Sequence, residues 1–543
     1  MALVYSNFPL KAGDLRLVSL ESWAGNIAEA TWKLRVVKED KELKDKEFWI
    51  DAICMNQEDD DERSYQVSNM MAEIYRRASS VIAWLGDSDA YTKRAFDHMA
   101  KVADRDKLTS LGIPTRQTSS EHSNGDETCW EAIGKIFDRT YWNRSWIIQE
   151  LVLPEHVTLR CGVYSTDWDV FVKASHNIST SPLKQYYDNR PAEGTSTSAS
   201  ISKASQHWAN VLLYTLIRSR DCEATELGDK AYALLGLIQG REGIKQLPPL
   251  LCPTYGSDCS PGKTYLDIAI QLLADCEDLL VLSCAEGFRN VKLNGADLPS
   301  WVPDWSVRYP LGLRVTGYKR YQADAFFFSS DMNLSREEKL TLWPALFDQS
   351  ELTMAVRGIQ VDNISFVAES KHDILNLKPF PRLLDMLLRL PEKYERTGEG
   401  RMEAFWRTLT KNTYGEVRLP PPKGSSMGPS FTKWIRERIK SVVASPEEDN
   451  HWTNLKEAFN KFWPHDEEWL AATKGYESVS SMEFSSQFAY GEYLRPFVTE
   501  KGYIGLGSQN LREGDTVWVV PRSRKYIGEL DVVQPIIIPP STP

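Results

Sequence analysis

The sequence predicts an α/β protein, with a parallel sheet and flanking helices in its N-terminal part and a mixed helical and α+β C-terminal region. Three observations predict it. Phe48, Trp49 and Ile50 form a short apolar run that stops on a carboxylate, Asp51. Val67, Met70, Met71, Ile74, Tyr75 and Ala78 then fall at helical spacing on one face. A second apolar run, Val81 to Leu85, ends at Gly86 and Asp87. Strand, amphipathic helix, strand, with both strands apolar throughout, is the pattern of a parallel βαβ unit buried on both faces. Ligands of such sheets sit beyond the carboxyl ends of the strands, where Asp51 and Asp87 are expected.

The elements follow in order. Residues 15–20 read as a short strand, and residues 26–35 as a helix with Ile27, Ala30 and Leu34 on one side. After the βαβ unit, residues 91–103 form an amphipathic helix through Ala95, Phe96, Met99 and Val102. Residues 109–128, rich in Ser, Thr, Gly and charge, read as a loop, and residues 130–137 as helix. A helix follows from about Trp146 to Leu151, which Asn143 or Ser145 could cap and Pro154 stops. Residues 157–161 form another strand, turned by Gly162.

Beyond a Ser/Thr-rich stretch at 179–205, residues 208–220, 230–238 and 264–274 read as helices and 279–284 as a buried strand. Leu298 to Ser306 is too proline-rich for a ladder, and Leu352, Met354 and Val356 alternate as in a half-exposed strand. Residues 375–475 look mostly helical, and residues 497–520 give a hairpin of two short strands around Gly502, Gly505, Gly507 and Gly514. The divisions expected are therefore 1–175, a linker at 176–206, a helical middle at 207–310 and a mixed α+β part at 311–543.

A net charge of −11 argues against nucleic acid or an anionic membrane as main partner, because phosphate binding relies on clustered Lys and Arg. The one basic cluster, Lys433 to Lys440, reads as a solvated helix face. There is no signal-peptide-like start and no apolar run long enough to span a membrane. The cysteines are irregularly spaced without CxxC, as expected for reduced thiols in a cytoplasmic protein, and no histidine pairing predicts a metal site.

Several spellings mislead. Gly256 to Thr264 is one residue too long for a phosphate loop, and Pro261 stiffens it. Gly424 to Gly428 spells GxSxG inside a proline-flanked linker, not a strand–turn–helix. The glycines at 502, 505 and 507 suit turns. Glu150 is the best catalytic candidate, being four residues after Trp146 and so on the same helix face; the plainer reading is a surface acid favoured by the helix dipole. Asp51 must be solvated, capping or functional, since a carboxylate cannot end an apolar strand without one of these. Trp49, Trp84 and Trp146 read as core residues before ligand-stacking ones.

The text from Phe48 to Gln57, then Arg63 to Val67, Met70, Met71, Ile74, Tyr75, Ala78, Val81 to Gly86 and Arg144 to Leu151, resembles the fungal heterokaryon incompatibility (HET) domain family. Gly228 to Leu237, Leu298 to Ser306 and Thr499 to Gly507 resemble downstream regions of the same proteins. The family acts in non-self recognition after hyphal fusion and in programmed cell death. HET domains are regarded as remote relatives of Toll/interleukin-1 receptor (TIR) domains, some of which hydrolyse NAD+.

The resemblance implies a TIR/flavodoxin-like parallel sheet, Glu150 as the catalytic acid, and Asp51, Asn56, Gln57, Arg144 and Trp146 as contacts to NAD+, a substrate and not a resident cofactor. It also implies self-association and a protein partner in incompatibility signalling. In one place the sequence departs: Leu20 to Gly25 stands where the family carries a longer aromatic strand, so the first sheet strand is expected to be short or missing. Two other readings remain open, a non-catalytic module relaying a death signal by assembly and an inert divergent paralogue.

Overall fold

The computed structural model of the chain describes residues 14–22, 31–38, 47–104, 127–179, 207–241, 244, 246–256, 259–276, 279–285, 298–307, 347–348, 353–354, 359–413, 420–421, 425–442, 449–462, 479–489, 491–519 and 536–538. Its contacts form two compact units, Met1–Leu272 with Val291–Leu298, and Leu273–Asn290 with Pro299–Pro543. The sequence-based division into four parts is finer than this one. Residues 109–126 and 180–206 of the expected loop and linker lie outside the described residues, as do Leu352 and Val356.

In the first unit, β1 (Asp14–Ser22) and β2 (Thr31–Lys38) run antiparallel, with Val18 opposite Leu34. The short strand expected at 15–20 is therefore present. The helix expected over 26–35 is not: its described end is strand, because Thr31, Trp32, Val36 and Val37 are β-branched or aromatic and find a full ladder on β1. β3 (Glu47–Phe48) is only two residues long and pairs antiparallel with β1, Val18 facing Phe48. The chain then turns at Ile50, whose carbonyl accepts from the amides of Ile53 and Cys54 and starts α1 (Asp51–Cys54).

The apolar run at Phe48 is thus no partner of the run at Val81. After α2 (Asp60–Asn69) and α3 (Met71–Arg77), β4 (Val81–Trp84) pairs in parallel with β5 (Val157–Cys161), Val81 facing Val157 and Trp84 facing Arg160. β6 (Tyr164–Asp167) returns antiparallel to β5. This small mixed sheet replaces the extended parallel sheet expected. The reason lies in β4 itself: Ala83 and Leu85 are buried while Ile82 and Trp84 are exposed, at 46% and 36%. An all-apolar strand here has one wet face.

The connection from β4 to β5 runs through α4 (Thr92–Val102), α5 (Glu127–Phe137), a 3-10 turn (Thr140–Asn143) and α6 (Ile147–Val152). The helical face foreseen on α4 is the buried one: Ala95, Phe96, Met99 and Val102 pack against α5 and against α7 (Trp168–Ser179). The Asn177 amide donates to Val102 O at 2.9 Å and closes the end of α4. α8 (Trp208–Arg218), α9 (Asp229–Leu235) and α10 (Pro261–Asp275) follow, and every residue of α9 is buried. Pro261 opens α10, where its missing N–H costs nothing.

The second unit holds the pair β7 (Phe347–Asp348) and β8 (Thr353–Met354) and an antiparallel sheet centred on β9 (Ile359–Val367). α11 (Lys371–Leu375), α12 (Pro381–Arg389), α13 (Arg401–Leu409), α14 (Met427–Ser441), α15 (Asp449–Phe462) and α16 (Met482–Ala489) follow it. They enclose a core of Phe380, Leu387, Phe405, Phe431, Trp434, Trp452 and Phe484. β10 (Arg495–Thr499) and β11 (Ile504–Gly507) form the expected hairpin. β12 (Thr516–Val519) adds to the far side of β9 and carries β13 (Ile536–Ile538) at the edge. The strand expected at 279–284 is instead a 3-10 helix, Leu280–Cys284, whose apolar side chains are buried without a ladder. Among the described residues no helix is long and apolar enough to cross a membrane.

Candidate functional site

Asp51 opens α1, and its Oδ1 accepts from the adjacent Ala52 amide at 2.8 Å, while the N-cap residue Ile50 makes no side-chain cap bond. The turn after it is stitched locally. Gln57 Nε2 donates to Asp51 O at 3.2 Å, the Asn56 side chain accepts from the Glu58 amide, and the Asn56 amide donates to Glu62 Oε1 at 2.8 Å. Asp59 then caps α2 through the Glu62 amide. Asn56 and Gln57, expected as ligand contacts, thus spend these groups on shaping the loop.

Glu150 lies in the first turn of α6, and Tyr141 in the 3-10 turn before it donates its Oη to Glu150 Oε2 at 2.8 Å. Burial raises the Glu150 pKa above the usual carboxylate value. The Arg144 guanidinium and the Tyr141 hydrogen bond oppose that rise, and the Asp51 carboxylate adds to it. Tyr75, on α3, is pushed well up by burial, and Glu150 and Asp51 raise it further while Arg144 lowers it. One group of five charged or hydroxylated side chains therefore acts on itself: Asp51, Tyr75, Tyr141, Arg144 and Glu150. It draws together Asp51, Arg144 and Glu150 from the sequence-derived set. Tyr75 and Tyr141 were missed: the apolar spacing around Tyr75 hides its hydroxyl, and Tyr141 lies in a short 3-10 turn without a periodic signal.

Two further features border the group. The Trp49 ring meets Tyr75 edge-on, centroids 6.0 Å apart, and its Nε1 is a buried donor without a hydrogen-bond partner. Trp146 shares the face of Glu150 by spacing, yet its Nε1 donates away to Asp229 Oδ2 at 3.1 Å. The helix cap expected from Asn143 or Ser145 is not made. Trp146 is the capping residue without a side-chain bond, and Ser145 instead donates to Glu223 O from both its amide (2.8 Å) and its hydroxyl (3.1 Å).

Asp87 does not join Asp51. At the carboxyl ends of β4 and β5, Gly162 N donates to Gly86 O at 2.9 Å, and Arg139 donates to Asp87 O at 3.0 Å and to Asp89 Oδ2 at 2.6 Å. Asp89 also accepts from the Thr92 hydroxyl and from the amides of Tyr91 and Thr92, and these bonds with Arg139 hold its carboxyl below the usual range despite some burial. That edge is a closed structural knot. Gly162 adopts φ 55°, and a Cβ there would collide with Ser88. Among the described residues no group of three or more His, Cys, Asp or Glu is placed to hold a metal ion.

Residues 24–150 match the model of the family described as heterokaryon incompatibility protein (HET). The chain carries a HET domain. Its matched stretch ends on Glu150 and holds the five side chains grouped above. Over 90% of its length the chain is also similar, at 23% identity, to heterokaryon incompatibility protein 6, OR allele, of Neurospora crassa, covering 78% of that protein. No solved structure gives a significant match.

Proposed function

We propose that this HET-domain protein is a cytoplasmic effector of non-self recognition that hydrolyses NAD+ at Glu150, in the manner of TIR-like enzymes. The observation that supports it is the Glu150 carboxylate itself, half-buried, held by Tyr141 at 2.8 Å and flanked by both Arg144 and Asp51. When the nicotinamide–ribose bond breaks, its electron pair leaves with the ring nitrogen and neutralises the pyridinium. The remaining ribosyl cation needs a negative charge close by, and an ionised Glu150 with restricted solvation supplies it at low local dielectric. Water then adds at the anomeric carbon and gives up a proton, which a carboxylate with a raised pKa is suited to take. Arg144 suits the pyrophosphate, and the unpartnered Trp49 N–H is a donor that a bound ligand could satisfy.

A second reading, in which the domain relays a death signal by assembly without catalysis, is favoured by Ile82 and Trp84, two exposed apolar side chains on β4. Incubating the purified chain with NAD+ and quantifying nicotinamide separates the two. Release that weakens in Arg144→Ala through a raised KM supports the enzyme. No release at any protein concentration or assembly state leaves only the second reading.

A further inference from the structure

The helix that bears Glu150 is held from outside the stretch matching the family. Gln149 Nε2 donates to Ala233 O at 2.9 Å, Ser145 donates to Glu223 O, and Trp146 donates to Asp229 Oδ2. Asp229 is the convergence point. The residue is 5% exposed, and its carboxylate accepts from three separate stretches of chain: Trp146 Nε1 at 3.1 Å, Arg63 on α2 at 3.3 Å and Tyr255 Oη at 2.8 Å. The Arg63 guanidinium also lies 3.7 Å over the Tyr255 ring and reaches Glu226 at 2.5 Å.

A buried carboxylate is a costly way to stabilise a fold. An apolar group of the same volume often does as well, whereas three donors in fixed directions specify an orientation. α6 has only six residues and no side-chain cap, so little of its own structure fixes where Glu150 stands. We infer that Asp229 is the positioning residue of the Glu150 helix, acting through the Trp146 indole, so that the site is complete only with the segment around α9. The inference rests on Glu150 being the reacting carboxylate, while its placement by Asp229 is separately measurable.

The full chain serves for the test, with Trp146→Phe, which keeps the ring and removes the donor, and Asp229→Asn, which keeps an acceptor. Hydrogen exchange of residues 145–152 is followed by mass spectrometry, and nicotinamide release is measured alongside. Losing a hydrogen bond to a charged group is expected to speed exchange there about tenfold to a hundredfold in Trp146→Phe. Residues 47–77 and the second unit should exchange as before. Over residues 145–152 Asp229→Asn should show a smaller change, and the double variant should be no worse there than Trp146→Phe, because the two residues reach that helix through one shared bond. In the release assay kcat falls and KM stays within about twofold. Wild-type exchange over 145–152 in Trp146→Phe overturns the inference. So does acceleration spread evenly over the whole first unit, which would make Asp229 a general stability element. If the wild type releases no nicotinamide, the proposed function fails, yet the exchange data still decide whether Asp229 positions the helix.

Discussion

Removing the Tyr141 hydroxyl tests the electrostatic account of the site. Tyr141 is buried, its ring meets Trp142 edge-on at 5.3 Å, and its Oη donates to Glu150 Oε2 at 2.8 Å. Tyr141→Phe keeps the ring and its packing and leaves the carboxyl without that donor. A hydrogen bond to an ionised carboxylate is worth about 1.5–3 kcal/mol, and one to its neutral form about 0.5–1.5 kcal/mol. The loss should therefore grow with pH. Because burial lifts the folded pKa of Glu150 above its unfolded value, the stability that Glu150 contributes is full below the ordinary carboxylate pKa and is lost as pH rises through the folded value. The tyrosine bond favours the ionised form, so Tyr141→Phe pushes the folded value further up and deepens the loss on the alkaline side. Urea midpoints of the first unit, read from the exchange of residues 127–161 at about pH 4 and about pH 8, measure it. An equal loss at the two pH values, or a larger one in acid, would refute the reasoning.

Three other outcomes follow from the same geometry. Glu150→Gln keeps an acceptor for Tyr141 and removes a half-buried charge, so its thermal midpoint should exceed wild type at about pH 7.5 and the gain should vanish at about pH 4; a less stable variant at the higher pH contradicts this. Gly162→Ala forces a Cβ against Ser88 at φ 55° and should cost about 1–3 kcal/mol by thermal denaturation, beyond Gly240→Ala, where φ is 76° but no atom lies within 4 Å. Glu226→Ala, at a half-exposed carboxylate, should cost at most about 1 kcal/mol, while Asp229→Ala leaves the Trp146 and Tyr255 donors without their buried acceptor and should cost about 2–6 kcal/mol. Comparable losses in that last pair of variants would show that burial does not govern them.

The sequence reveals most where burial is one-sided and local. The faces of α4 and α5 repeat every three or four residues, and those residues form the core. It misleads at Phe48 and Val81. An apolar run reports a strand but not its partner, and the partners came from residues 14–22 and 157–161. Nor does it show that Ile82 and Trp84 face outward. Glu150 is legible because helical spacing ties it to Trp146. The direction of the Trp146 indole is not, since its acceptor lies 83 residues downstream. Tyr75 was hidden for a related reason: a tyrosine in an apolar stripe is read as packing, and only folding brings its hydroxyl, like that of Tyr141 in the 3-10 turn, into the carboxylate's field. Asn56 and Gln57, polar residues in a conspicuous motif, also make hydrogen bonds that build a turn, which the motif alone does not show.

The central claim is that Glu150 does chemistry on a ligand bound beside it, and one paired measurement tests it most directly: NAD+ binding by calorimetry and nicotinamide release, on wild type and Glu150→Gln. The account predicts that the variant binds NAD+ within a few-fold of wild type while its release rate falls at least about a hundredfold, the size expected when a single preorganised charge is removed. Release at equal rates from both proteins, or no binding to either, would contradict it.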